Sequence, residues 1–243
     1  MLANLPVEII LLICQYLESK ELRQLAWTNK QMMQIVKRHL PMALDRRVLF
    51  YLPYESGKIL KGRICQFDSH TNSVEQIAKF TNYLQSYEVA ITKDKIFAIE
   101  YYNKSFEIFD LTTRQITRGP DPPEWREYAS VAYFKDKLYY LGGNDPKTNK
   151  TNRVDILIDG IWQSGPALPL TIQFVQTITC DNTLYVIDGW DSNIMIYRLS
   201  DDEREWIEMG EIPERRDSFG IASLNGRIYI TGGGARSLIL YDK

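Results

Sequence analysis

Cysteine is scarce in this chain. Cys14, Cys65 and Cys180 are an odd, scattered set with no CxxC pair. That count excludes a disulfide scaffold and makes a reducing compartment the expected setting, cytoplasmic or nuclear. Histidine is scarcer still: His39 and His70 are the only two. A His-rich metal centre is ruled out, and a histidine-based triad has few ways to form. Charge excess is missing as well. Lys plus Arg number 29 against 31 Asp plus Glu, a net charge of -2. Without a basic surface to release counterions, non-specific nucleic-acid binding is excluded. No run reaches the ~18 apolar residues of a membrane span. The apolar run Ile9 to Ile13 lacks a basic stretch ahead of it, so it does not read as a signal peptide. Neither a membrane nor a cofactor is expected. The sequons at Asn103 and Asn149 read as chance matches in a chain of this setting.

What is present points to a folded, β-leaning protein. The chain has 243 residues, 44% of them hydrophobic and 12% aromatic, with 15 Tyr and 14 Gly. Its character changes near residue 45. Residues 1–45 read as three short helices, with Asn4 a cap, Pro6 at the first helical position and Pro41 an end signal. Three helices of that size bury little by themselves, so their apolar excess needs a further surface.

The run Leu5-Pro6-x-Glu8-Ile9, then Ile13, Leu17, Leu22 and Leu25, ending in Ile35-Val36, resembles an F-box. It departs at Thr28, where the family usually has valine, and at Met32, where it often has tryptophan. The resemblance implies docking on a Skp-type adaptor and, through it, a cullin. Leu5, Pro6, Ile9, Ile13, Leu17, Leu22 and Leu25 would be the adaptor contacts. The alternative is a helical cap packed on the following domain.

Residues 46–243 repeat. Phe97, Tyr139, Tyr185 and Tyr229 each centre a strand-like pentad, and they stand 42, 46 and 44 residues apart. A weaker copy, Val48 to Leu52, precedes them. A period in the 40s marks propeller repeats. Each strong pentad follows a two-residue turn: Lys93-Asp94, Lys135-Asp136, Asp181-Asn182 and Asn225-Gly226. Another strand precedes each turn, with Ala90, Ala132, Ile178 and Ala222 in register. The pairs Glu100-Tyr101, Gly142-Gly143, Asp188-Gly189 and Gly232-Gly233 follow the pentads. Third strands are predicted at 63–68, 105–110, 154–159, 194–199 and 237–242. A fourth carries Trp162 or Trp206, with prolines after it. The count is 3 + 4 + 4 + 4 + 3 strands, which leaves the first and last blades unfinished and the architecture either closed by another segment or open.

The di-glycine, the aromatic before it and the later tryptophan together resemble the kelch repeat. The fold expected is mainly β: a kelch-type β-propeller of about five repeats behind a small helical module. The resemblance implies a non-catalytic protein that binds a protein target, and the pairing with an F-box implies the substrate receptor of a cullin ubiquitin ligase. An interaction scaffold without that role is the alternative, and a sugar-active propeller enzyme a remoter one.

Other motifs carry no chemistry. Thr231 to Arg236 lacks the Lys-Ser/Thr ending of a phosphate loop. Asp201, Asp202, Glu203 and Glu205 read as a solvated loop, since they lack calcium-loop spacing. Asp188 and Asp191 beside Trp190 read as a turn. No GxSxG occurs. The candidate target contacts are the residues leading into the innermost strands: Tyr87, Trp125, Arg126, Tyr128, Gln173, Phe174, Arg215, Arg216 and Phe219. Arg126 and Arg216 each stand 13 residues before a repeat aromatic. Arginine and aromatic residues are the usual hot-spot types. Two readings of the arginines stay open, target contacts or bridges between blades.

Overall fold

The computed structural model describes residues 47–51, 54–55, 58–59, 61–68, 73–83, 87–145, 149–188, 194–212, 219–224, 226–232 and 238–241. Among these there is no helix. They fall into two compact units. One holds 47–51 and Arg63–Ala78, and the other holds the rest, 54–62 and Lys79 onward.

The described residues open with β1 (Arg47–Tyr51), a small hairpin of β2 (Tyr54–Glu55) and β3 (Lys58–Ile59), then β4 (Lys61–Asp68) and β5 (Ser73–Tyr83). Strands β1, β4 and β5 form a three-stranded sheet, the first repeat, with no innermost strand among the described residues. The second repeat is β6 (Tyr87–Ile91), β7 (Lys95–Glu100), β8 (Ser105–Asp110) and β9 (Ile116–Arg118). The third is β10 (Ser130–Phe134) and β11 (Lys137–Leu141), an inserted hairpin of β12 (Asn144–Asp145) and β13 (Asn149–Lys150), then β14 (Val154–Ile158) and β15 (Ile161–Ser164). The fourth is β16 (Gln176–Cys180), β17 (Thr183–Ile187), β18 (Ile194–Leu199) and β19 (Trp206–Ile212). The fifth has three strands, β20 (Phe219–Leu224), β21 (Arg227–Gly232) and β22 (Leu238–Tyr241). Each sheet is an antiparallel meander in chain order, and β6, β10, β16 and β20 lie side by side. That is the arrangement of propeller blades.

The turn dipeptides explain the register. Lys135 and Asp136 have φ of 45° and 60°, and Asp181 and Asn182 have 45° and 56°. Positive φ at both central residues is the type I′ turn, whose twist matches that of the flanking strands. It pins Phe134 opposite Lys137 and Cys180 opposite Thr183. In consequence Ala132 pairs with Tyr139 and Ile178 with Tyr185, and the same register pairs Ala90 with Phe97 and Ala222 with Tyr229. The repeat aromatic thus faces alanine in three of these repeats and isoleucine in the fourth one.

The core lies between blades. Phe97, Ile99 and Phe106 of the second repeat pack with Val131, Leu138 and Tyr140 of the third. Tyr139, Leu141 and Val154 of the third meet Leu184, Val186 and Tyr197 of the fourth. Tyr185, Ile187 and Ile196 meet Phe219, Ile228 and Ile230 of the fifth. Each fully buried side chain of this size contributes about 1.5–3 kcal/mol.

Polar ties join the same neighbours. The Trp162 indole N–H donates to the Pro120 carbonyl at 2.9 Å, and Trp206 to that of Pro166 at 2.9 Å. Each repeat tryptophan thus reaches back to the proline turn that closes the preceding blade. Glu203 departs from the solvated loop expected of it. From the turn between β18 and β19 it accepts from Tyr139 at 2.9 Å and from Lys137 at 2.5 Å, and pairs with Lys135 at 3.3 Å. Asp201, Asp202 and Glu205 are exposed, as the sequence reading expects.

Candidate functional site

A buried ionic group decides the role of Arg126. Its side chain has no solvent exposure, and its Nη2 lies 3.1 Å from Asp155 Oδ2, also fully buried. Nη1 donates to the Arg153 carbonyl at 3.0 Å and Nη2 to the Tyr140 carbonyl at 2.9 Å. The guanidinium lies 4.3 Å from the Tyr140 ring centroid. Burial lowers its pKa, and Tyr140 and Asp155 oppose that shift. Arg153 also grips Asp155, with Nε at 2.9 and 3.0 Å from the two oxygens, and reaches Glu124 at 3.2 Å. Neither of the two readings left open holds as stated for Arg126: it is buried, and it ties the lead-in of the third blade to β11 and β14 of the same blade, not to a neighbouring one. It is corrected from target contact to internal fastener. Phe219 is corrected likewise, because it is buried in the core between the fourth and fifth blades.

Next to Arg126 the chain takes a different course. Tyr128 and Phe174 stand at equivalent places, each 11 residues before its repeat aromatic. Both occupy the left-handed region, with φ of 57° and 58°. For a bulky side chain that conformation costs on the order of 1–3 kcal/mol and persists only where neighbours enforce it. The neighbours are identifiable. Phe174 N donates to the Tyr128 carbonyl at 3.0 Å, and the two rings stack with centroids 4.1 Å apart. Glu127 exchanges two backbone hydrogen bonds with Asn144, at 3.0 and 2.7 Å. Gly143 permits this approach. It has φ of 91°, and a Cβ there would stand 2.8 Å from the Glu127 carbonyl and 2.8 Å from the Ala129 nitrogen.

The second repeat supplies the facing wall. Where the third has Gly142-Gly143, the second has Glu100-Tyr101. Glu100 is fully buried and accepts from the backbone N–H groups of Tyr102 at 3.0 Å and Asn103 at 2.5 Å. Those bonds shape the turn that presents Tyr101 and Tyr102, whose rings meet edge to face at 5.2 Å. The Tyr102 hydroxyl donates to Glu127 of the next blade. The phenols of Tyr102 and Tyr128 are both raised above their ordinary pKa, first by hydrogen bonding to Glu127. Tyr102 remains 47% exposed, and Glu127, Tyr128 and Phe174 are half-buried. Three blades thus build one aromatic surface around one carboxylate.

Among the other sequence candidates, Trp125 is half-buried against the core between the second and third blades. Gln173 is half-buried beside Phe174 in the chain, and Tyr87 opens β6, paired with Glu100. Leu5, Pro6, Ile9, Ile13, Leu17, Leu22, Leu25, Arg215 and Arg216 lie outside the described residues, as do both histidines, Trp190 and Asp191. Tyr101, Tyr102 and Glu127 were not picked out by sequence reasoning. The signal for the first two is the departure from the glycine pair at 100–101.

A cavity of about 410 Å³ lies at the other, hairpin end of the inner strands, lined by Val89, Ile91, Tyr133, Thr177 and Ile178 among others. Among the described residues of its lining Lys135 and Tyr133 are the ionisable side chains, and the lining includes no carboxylate. Among the described residues no group of three or more His, Cys, Asp or Glu is placed to hold a metal.

Several known proteins with similar sequences carry kelch in their names. Kelch-like protein 35 of Mus musculus is 23% identical over 188 residues, covering 74% of this chain and 32% of that protein. A kelch domain-containing protein of Saccharolobus solfataricus is 33% identical over 70 residues, 29% of this chain and 9% of its own. Kelch repeat and BTB domain-containing protein 12 of Danio rerio is 26% identical over 163 residues, 60% of this chain and 25% of its own. The chain therefore spans a third or less of the length of these relatives. No family model matches the chain. The similarity, the period in the 40s and the meander blades support kelch repeats and a protein-interaction module built from them.

Proposed function

We propose that this protein is the substrate-recognition subunit of an SCF-type cullin ubiquitin ligase, acting in the cytoplasm or nucleus. Residues 1–45 hold a Skp-type adaptor and the kelch repeats hold a protein target. The observation that carries this reading is the Leu5-Pro6-x-Glu8-Ile9 run with its following apolar positions, directly ahead of the repeats. The subunit does no chemistry. Holding target and adaptor together raises the effective concentration of target lysines near the charged conjugating enzyme. The aromatic surface of Tyr102, Tyr128 and Phe174 is the target face, because pinned aromatic side chains bind with little loss of conformational freedom.

The test is capture of the purified Skp adaptor by the full chain, with Leu5→Ala/Pro6→Ala alongside. Capture by the wild type and its loss in the variant is the expected result. No capture by the wild type overturns the ligase reading. A second reading, an interaction scaffold with a helical cap, is favoured by those relatives whose names join kelch repeats to BTB. Under that reading Tyr128→Ser/Phe174→Ser still abolishes target binding while the adaptor is never captured.

A further inference from the structure

The aromatic surface has a sign. Glu127 is the carboxylate at its centre, and among the described residues no lysine or arginine pairs with it. Two arginines near it in the chain are committed elsewhere: Arg126 to Asp155, and Arg153 to Asp155 and Glu124. The phenol donors around Glu127 leave capacity on a carboxylate with about four acceptor positions. Tyr102 and Tyr128 reach it through their hydroxyls, and each of these rings packs on a second one, Tyr101 and Phe174 respectively, so that π-surface lies close to the carboxylate. A carboxylate framed by tyrosine rings attracts one ligand chemistry, a cationic head group.

We propose that this cluster recognises a basic side chain, lysine or arginine, projecting from the protein target. The inference rests on the reading of the kelch repeats as a target-binding module and adds the charge of what they bind. Three features favour a built site over a chance surface. Tyr128 and Phe174 are both held at left-handed φ, a conformation their own side chains disfavour. Glu127 is fixed on both backbone sides by Asn144 before any ligand arrives. Buried Glu100 sets the turn that carries Tyr101 and Tyr102. Ordering that is already complete in the free protein is not charged against binding. An acidic segment is disfavoured at the same place, because it would bring like charge against Glu127.

The experiment is an NMR titration of the full chain with capped Gly/Ser peptides that differ in one central residue: Lys, Arg, Glu or Ser. The Lys or Arg peptide shifts the amide signals of Tyr102, Glu127 and Tyr128, and the Glu and Ser peptides do not. Glu127→Gln keeps the shape and an acceptor for Tyr102 but lowers affinity for the basic peptides about fivefold, the size expected for one exposed ion pair with its ring contacts. Raising the salt weakens wild-type binding and leaves the variant little changed. Equal affinity in wild type and Glu127→Gln overturns the proposal, as does a Glu peptide that binds as well as the Lys peptide or a basic peptide that does not bind. Should a purified target bind Glu127→Gln normally yet fail on Tyr128→Ser/Phe174→Ser, the target face stands and its charge preference falls.

Discussion

Deleting the Asp155 carboxylate strands a positive charge in the interior. Asp155→Ala removes the counter-ion of Arg126, whose side chain has no exposure to water. Leaving one member of a buried pair uncompensated costs about 3–5 kcal/mol. The reverse deletion is milder. In Arg126→Met the carboxylate keeps Arg153, whose Nε lies 2.9 and 3.0 Å from its two oxygens. Methionine also fills much of the space of the arginine stem. What goes is the pair of donors to the Tyr140 and Arg153 carbonyls, about 1–3 kcal/mol together. Asp155→Ala should therefore be the more destabilising by about 2 kcal/mol. Equilibrium urea unfolding followed by tryptophan fluorescence measures this, from the midpoint shifts at a common slope. Arg126→Met losing as much as Asp155→Ala, or more, would refute the reasoning. Hydrogen bonding and contact with Tyr140 would then outweigh the charge.

The remaining predictions follow from other groups. Burial in β6 pushes the Glu88 carboxyl up to about 8, so the folded state holds a proton that the unfolded chain gives up near its ordinary value of 4.5. Stability should fall as pH rises between these values, by on the order of a few kcal/mol, and Glu88→Gln should abolish that fall in melts run across the interval. For Glu203, desolvation raises the pKa, but hydrogen bonds from Lys137, Tyr139 and Lys135 outweigh it and the net shift is down. Its contribution is present above the unfolded value near 4.5 and is lost as pH falls through the lower folded value. Glu203→Ala should cost about 1 kcal/mol at neutral pH, and less in melts below pH 4. Gly143→Ala forces a side chain into left-handed backbone and against the Glu127 carbonyl. It should cost more than about 2 kcal/mol and, in a crystal structure of the variant, displace Glu127 from its bridge to Asn144.

Much of the blade architecture was legible because it is local. A hairpin turn lies between the residues it joins, so Lys135-Asp136 and Asp181-Asn182 announce both their φ and the pairing of Ala132 with Tyr139 and Ile178 with Tyr185. The 3 + 4 + 4 + 4 + 3 strand count also matches the repeat sheets described. The site was less legible because its geometry runs across blades. The sequence leaves Arg126 open between target contact and structural tie, because Asp155, which neutralises it, lies 29 residues on in β14. Tyr102 and Glu127 are 25 residues apart and meet only when adjacent blades stack. Glu203 sits among exposed acids in the sequence and finds Lys137 and Tyr139 only through the neighbouring blade.

The two tryptophan fasteners have a direction. Trp162 holds the carbonyl of Pro120, and Trp206 holds that of Pro166, always a residue made some forty positions earlier. A chain emerging from the ribosome would find the acceptor waiting each time a new outer strand appeared. Assembly in this stretch can thus follow the order of synthesis, with each finished blade acting as the template on which the next one closes.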